Sequence, residues 1–224
     1  MKRVGILGAG NVGANAAFFI AERRVADVIL YDVQEGLSTG KALDLMEAAP
    51  VRSYRSWLHG TDAPDSAAYC DVVVIAAGES RKPGEDRSAL AGRNRDAVAA
   101  LAGGLRGSDA VVVVATEPVD AMTELVQQES GLPRSRVLGI GGILDAARLR
   151  TEIAEAVGVN AEDVDARVIG THNAAMIPML QYTAVSGIPV ADLLSDSDLA
   201  AAVARTRTAG DRILEGLQRS AGCY

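Results

Sequence analysis

Five short, unbroken apolar runs constrain what this chain can fold into more than any other feature. They are "RVGIL" (3–7), "DVILYD" (27–32), "CDVVVIAAG" (70–78), "DAVVVVAT" (109–116) and "RVLGI" (136–140). A strand with one wet face alternates apolar and polar residues. The runs at 70–78 and 109–116 are continuous rather than alternating, which fits strands buried on both faces. Stretches with helical spacing separate the five runs, at 11–24, at 36–49 with an end at Pro50, at 88–105 and at 119–130. Strand and helix alternating over short connections predict an α/β fold with a doubly wound parallel sheet, the Rossmann type. Aromatic residues make up only 4% of the chain. The core must therefore come from Val, Ile, Leu and Ala, which suit buried parallel strands.

The pattern changes after residue 142. A helix is expected over 143–158, a strand over 163–170 and a long helix over 198–218, with Leu199, Val203, Ile213, Leu214 and Leu217 along one side and Gly210 weakening its middle. This predicts a dinucleotide-binding domain over 1–142 and a partial C-terminal α+β substrate domain over 143–224. A net charge of −7 offers no field to nucleic acid. No run approaches the roughly 20 apolar residues that cross a bilayer, and residues 1–20 lack a signal-peptide pattern. Cys70 and Cys223 match no disulfide or metal spacing. The expectation is a cytoplasmic protein with no nucleic-acid, membrane or metal partner.

"GAGNVG" sets Gly8, Gly10 and Gly13 between the first strand and its helix. Gly8 permits the tight turn, Gly10 lets a pyrophosphate approach the backbone, and Gly13 allows helix and strand to pack closely. The helix end then offers its free N–H groups to phosphate. Asp32, closing the second strand, can accept hydrogen bonds from a ribose diol and would repel a 2′-phosphate, which favours NAD over NADP. An S-adenosylmethionine site and a plain turn at Asp32 are the alternatives.

Three further stretches admit a functional and a structural reading. "GESRKPGEDRSAL" (78–90) carries Arg81, Lys82 and Arg87, suited to gripping carboxylates, or to pairing with Glu79, Glu85 and Asp86 as a solvated run. "GGILDAARLR" (141–150) puts Asp145 and Arg148 on one helix face. Asp145 either caps that helix or orients a histidine, while Arg148 either makes a surface pair or binds a carboxylate. His172, in "GTHNAAMIP" (170–178), is one of two histidines and alone decides nothing.

Taken together, "GAGNVGA", "GKALDLMEAAPV", "DVVVIAAGESRKPGEDR", "PVDAMT", "RVLGIGGILDAARLR" and the segment around His172 resemble the lactate/malate dehydrogenase family, more closely its malate branch. The resemblance spans the chain in order. It implies that His172 exchanges a proton with the substrate hydroxyl during hydride transfer to NAD, with Asp145 holding its imidazole. Arg148 would bind the carboxylate beside the reacting carbon, and Arg87 would polarise the developing alkoxide. Arg81 would meet a second carboxylate, pointing to malate and oxaloacetate over lactate and pyruvate. Ala9, Asn11, Val12, Asn94, Ala115 and Glu117 would join the three glycines and Asp32 around the cofactor, with Glu117 also at the substrate. His59 has no counterpart role and reads as surface. The resemblance further implies a homo-oligomer, a dimer or tetramer.

Three departures stand out. The family has asparagine where this chain has Glu117, and a carboxylate there would repel a dianion and raise the pKa of a nearby imidazole. His-Gly-Asp becomes His172-Asn173-Ala174, with Asn173 expected to keep a positive φ in place of glycine. Family members also continue beyond "SAGCY" (220–224), so the second domain is expected to be incomplete, with exposed apolar surface and reduced stability. A dehydrogenase of another 2-hydroxy acid and a non-catalytic NAD-binding protein are the rival readings.

Overall fold

The computed structural model describes residues 2–82, 84–85 and 87–218, without the side chains of Arg87 and Ser88. Pro83, Asp86 and Cys223 lie outside the described residues. The chain divides into two compact units, one up to Gly139 and one from Ile140.

In the first unit the centres of the apolar runs form β1 (Arg3–Leu7), β2 (Asp27–Tyr31), β4 (Val72–Ile75), β5 (Val111–Val114) and β6 (Val137–Gly139). With β3 (Leu58–Thr61) they make one six-stranded sheet, all parallel, in the order β3-β2-β1-β4-β5-β6. Helices α1 (Asn11–Glu22) and α2 (Leu37–Arg52) cover one face, where Val4, Ile6, Val28 and Leu30 meet Ala17, Ala21 and Ala42. Helices α3 (Arg87–Gly103) and α4 (Val119–Ser130) cover the other, where Val73, Ile75, Val112 and Val114 meet Val98, Ala102, Met122 and Val126. This is the doubly wound sheet predicted from the unbroken runs. Strand order reverses between β1 and β4, the place where such sheets bind ligands.

Two details differ from expectation. Helix α2 runs through Pro50 to Arg52 rather than stopping there. Pro50 forfeits the hydrogen bond its missing N–H would give to the Met46 carbonyl, but Met46 and Ala49 still pack on the core beneath. Strand β3 went unforeseen: its four residues include His59 and Gly60, so its pattern is faint. His59 is exposed on it, as expected.

The second unit is built on α5 (Gly141–Val157) and α6 (Asp196–Leu217). The strand expected over 163–170 divides into β7 (Val164–Asp165) and β8 (Val168–Ile169), because the chain changes partners between them. Strand β8 pairs antiparallel with β9 (Ile177–Pro178). Strand β7 pairs with β10 (Ala184–Val185), which also pairs with β11 (Ile188–Pro189). Val164, Ala166 and Val168 keep one buried face across the break, against Leu149 and Ile153 of α5 and Leu199 and Ala202 of α6. Ser195 caps α6 by accepting from the Asp198 N–H at 3.2 Å. Among the described residues no helix is long and apolar enough to cross a membrane.

Candidate active site

A groove of about 490 Å³ opens in the first unit where the strand order reverses, lined among others by Gly8, Gly10, Asp32, Gly78 and Asn94. Its floor is the glycine turn after β1. Gly8 has φ +111°, a left-handed conformation that disfavours side chains. A Cβ on Gly13 would lie 1.8 Å from the Gly8 carbonyl oxygen, so only glycine lets α1 start this close to the strand. At Gly10 the space is open, and no side chain caps the N-terminus of α1. The exposed backbone and the positive helix end suit a pyrophosphate.

The glycine turn is tied to the acid of β2. Asp32 accepts from the Ala9 N–H at 2.7 Å and from the Gln34 N–H at 3.0 Å. These occupy two of about four acceptor positions on a carboxylate, leaving room for a ribose diol. The residues present therefore fit a dinucleotide.

Asn94 is buried beside the groove. Its Oδ1 accepts from the Glu79 N–H at 2.7 Å, and its Nδ2 donates to the carbonyls of Glu79 at 3.2 Å and Glu117 at 2.8 Å. It buckles the loop after β4 to the loop after β5. The buried Thr116 does the same through its hydroxyl, donating to the Ala77 carbonyl at 2.7 Å. Of the expected cofactor residues, Gly8, Gly10, Asp32 and Asn94 line the groove, whereas Ala9, Asn11, Val12, Gly13, Ala115 and Glu117 do not. Gly13 acts from beneath; Asn11 and Val12 open α1, and the Ala115 N–H completes the sheet on the Ile75 carbonyl at 2.8 Å. Among the lining residues, the sequence reading missed Val33, Glu79, Arg93, Ala97, Ala100 and Leu101. The last three share one side of α3 at helical spacing, a signal the sequence did carry.

Arg81 lies half-buried in the loop after β4, and Arg87 begins α3 with its side chain outside the described residues.

In the second unit, the hairpin between β8 and β9 carries His172 to the first turns of α5. His172 Nδ1 lies 2.8 Å from Asp145 Oδ2, with both side chains buried. With the carboxylate accepting, Nδ1 holds the hydrogen, which sets the tautomer of the ring. Helix α5 starts at Gly141, so Asp145 sits within the helix and is no cap. Arg148 stands 3.7 Å from Asp145 with its side chain 14% exposed, which rules out an ordinary surface pair. Its buried Nε–H has no hydrogen-bond partner among the described residues. A buried unmet donor is costly, and an anionic ligand would satisfy it.

The expected positive φ at Asn173 is not found. The left-handed residue of this loop is Gly170, at +89°. Asn173 shapes the loop through its side chain, whose Oδ1 accepts from the Ala175 N–H at 2.8 Å and the Thr171 hydroxyl at 3.0 Å. That is a turn asparagine commonly makes.

Comparison with known proteins shows the family and the fold. Residues 2–139 match the family description "lactate/malate dehydrogenase, NAD binding domain", and residues 143–223 match its "alpha/beta C-terminal domain". The chain is 44% identical over 227 residues to the malate dehydrogenase of Desulforudis audaxviator, covering all of this chain and 73% of that protein. Among solved structures, Cryptosporidium parvum malate dehydrogenase superposes with a TM-score of 0.95 at 33% identity, covering 99% of this chain and 73% of that one. The lactate dehydrogenase of the same organism, complexed with lactic acid and nicotinamide adenine dinucleotide, gives 0.93 at 33% identity over the same shares.

Proposed function

This chain belongs to the lactate/malate dehydrogenase family and is an NAD-dependent dehydrogenase, and on that premise we propose that it interconverts malate and oxaloacetate. The nicotinamide ring of NAD, when bound, accepts or returns the hydride of the substrate's C–H bond. His172 takes the hydroxyl proton at Nε2 as that hydride leaves, and returns it in the reverse direction. Asp145 holds the ring in the productive tautomer and stabilises its charged form. Arg148 grips the carboxylate next to the reacting carbon with its planar fork. Arg87 polarises the carbonyl oxygen. Arg81 meets the second carboxylate, which is why a dicarboxylate is preferred.

The observation that carries this reading is the buried His172–Asp145 pair at 2.8 Å, with Arg148 one helical turn further along α5. A buried imidazole oriented by a carboxylate beside an unmet arginine donor is costly as mere structure and apt for acid–base work on an anion. The decisive experiment is oxaloacetate-dependent NADH oxidation by the purified chain. Turnover that His172→Ala lowers by about 10³-fold or more supports the relay. A substitution that leaves the rate intact refutes it.

A second reading, NAD binding without turnover, is favoured by Glu117 at the family's asparagine position. NADH bound by a chain that does not oxidise it would identify this case. Self-association into a dimer or tetramer belongs to the same family reading, and light scattering on the purified chain tests it.

A further inference from the structure

Glu79 and Glu85 flank Arg81 and Lys82 in the loop after β4, and both carboxylates converge on one guanidinium, that of Arg93 on α3. Glu85 is held by both prongs, with Nη2 donating to Oε2 at 3.0 Å and Nη1 donating to Oε1. Arg93 Nε stands 2.9 Å from Glu79 Oε2, an ion pair without hydrogen-bond alignment. The loop also closes on itself. The Lys82 N–H donates to Glu85 Oε2 at 3.0 Å, and the Glu85 N–H donates to the Lys82 carbonyl at 3.1 Å. The next residue of α3, Asn94, clasps the Glu79 backbone from both sides.

We propose that Arg93, through Glu79 and Glu85, is a positioning residue that tethers the loop bearing Arg81 to α3 and thereby sets where a second substrate carboxylate is met. This rests on the dicarboxylate reading above. A loop of Gly, Pro and charged residues is costly to order when substrate arrives. A two-pronged guanidinium pair supplies that order beforehand, and its planar fork restrains geometry in a way an ammonium cannot. The hydrogen bond from Arg93, seconded by the Lys82 N–H, holds the Glu85 carboxyl down at about 2. The tether is thus charged at any pH near neutrality.

The test uses the whole chain with Glu85→Gln, which keeps size and loses charge, and Arg93→Lys, which keeps charge and loses the fork. Two readouts are needed. One is the initial rate of tryptic cleavage at the Arg81–Lys82 bond, the neighbouring Lys82–Pro83 bond being resistant. The other is the split between KM for oxaloacetate, kcat and the Kd for NADH. Both variants should speed cleavage after Arg81 by about fivefold and raise KM by about three- to tenfold; Glu85→Gln, which lies outside the groove lining, should keep kcat and NADH binding within about twofold. Unchanged cleavage in both variants overturns the tether. So does cleavage rising throughout the chain with a falling melting temperature, which would mark general destabilisation. If the parent chain shows no turnover, the dicarboxylate reading fails by itself, and cleavage after Arg81 still decides the tether.

Discussion

Gly141→Ala should disable His172 without touching it chemically. A Cβ built on Gly141 lies 2.8 Å from His172 Cβ and 3.3 Å from its Cγ. Carbon atoms settle near about 3.7 Å, so the shortfall is about 0.9 Å. The imidazole cannot retreat freely, because His172 is only 6% exposed and its Nδ1 is bonded to Asp145. Moving the ring by that amount away from Asp145 would stretch the 2.8 Å bond to about 3.7 Å, where it ceases to be a hydrogen bond. Displacement on that scale costs about 10²-fold in rate, or about 2.7 kcal/mol of transition-state stabilisation. Overpacking should also cost about 1–3 kcal/mol of stability. The assay is kcat/KM for oxaloacetate alongside the Kd for NADH and the melting temperature. Gly216→Ala is the control, since a Cβ there meets nothing within 4 Å on an exposed part of α6. It should leave activity unchanged and stabilise by up to about 1 kcal/mol. A Gly141→Ala protein with the parent's kcat/KM and melting temperature would refute the reasoning.

Two other outcomes are expected. Glu152 of α5 takes hydrogen bonds from Arg205 at 2.5 Å and Arg212 at 2.6 Å, both on α6. Burial alone would raise its carboxyl, but these two bonds more than offset that and hold it below the usual range. Because the folded pKa is the lower one, the stabilisation is present above the unfolded value of about 4.3 and is lost as pH falls through the folded value. Glu152→Gln should therefore cost about 1–2 kcal/mol at pH 7, discounted for the half-exposed arginines, and the gap from the parent should shrink in melts below about pH 4; a gap that does not change with pH would count against the ion-pair account. Arg81→Gln should lower kcat/KM for oxaloacetate by about 10²-fold while leaving pyruvate unaffected or improved, as expected for losing one charge-assisted pair. Equal losses on both substrates would remove Arg81 from the selection of a dicarboxylate.

Much of the first unit was written locally. The unbroken Val-rich runs require cover on both faces, and that requirement alone demands helices on two sides of a parallel sheet. Gly8, Gly10, Gly13 and Asp32 are equally legible, because a turn, a close helix start and a strand-end acid are properties of a few consecutive residues. Strand β3 was not legible, since "LHGT" becomes a strand only by pairing with β2. The roles of Asp145 and Asn173 were likewise open. At the start of a helical pattern an aspartate reads equally well as a cap, and only the true start of α5 at Gly141 rules that out.

The sequence by itself determined the class of sheet, the glycine turn after β1 and the acid that closes β2, all set by short-range periodicity and backbone sterics. Only the tertiary structure decided the partnerships between side chains distant along the chain. His172 meets Asp145 across 27 residues because the β8–β9 hairpin folds back on α5. Arg93 serves Glu79 and Glu85 because the loop after β4 doubles back to α3. Asn94 joins two loops through three backbone bonds. Each depends on geometry accumulated over several elements, and a charge or an amide in the sequence carries no record of which partner that geometry will bring within 3 Å.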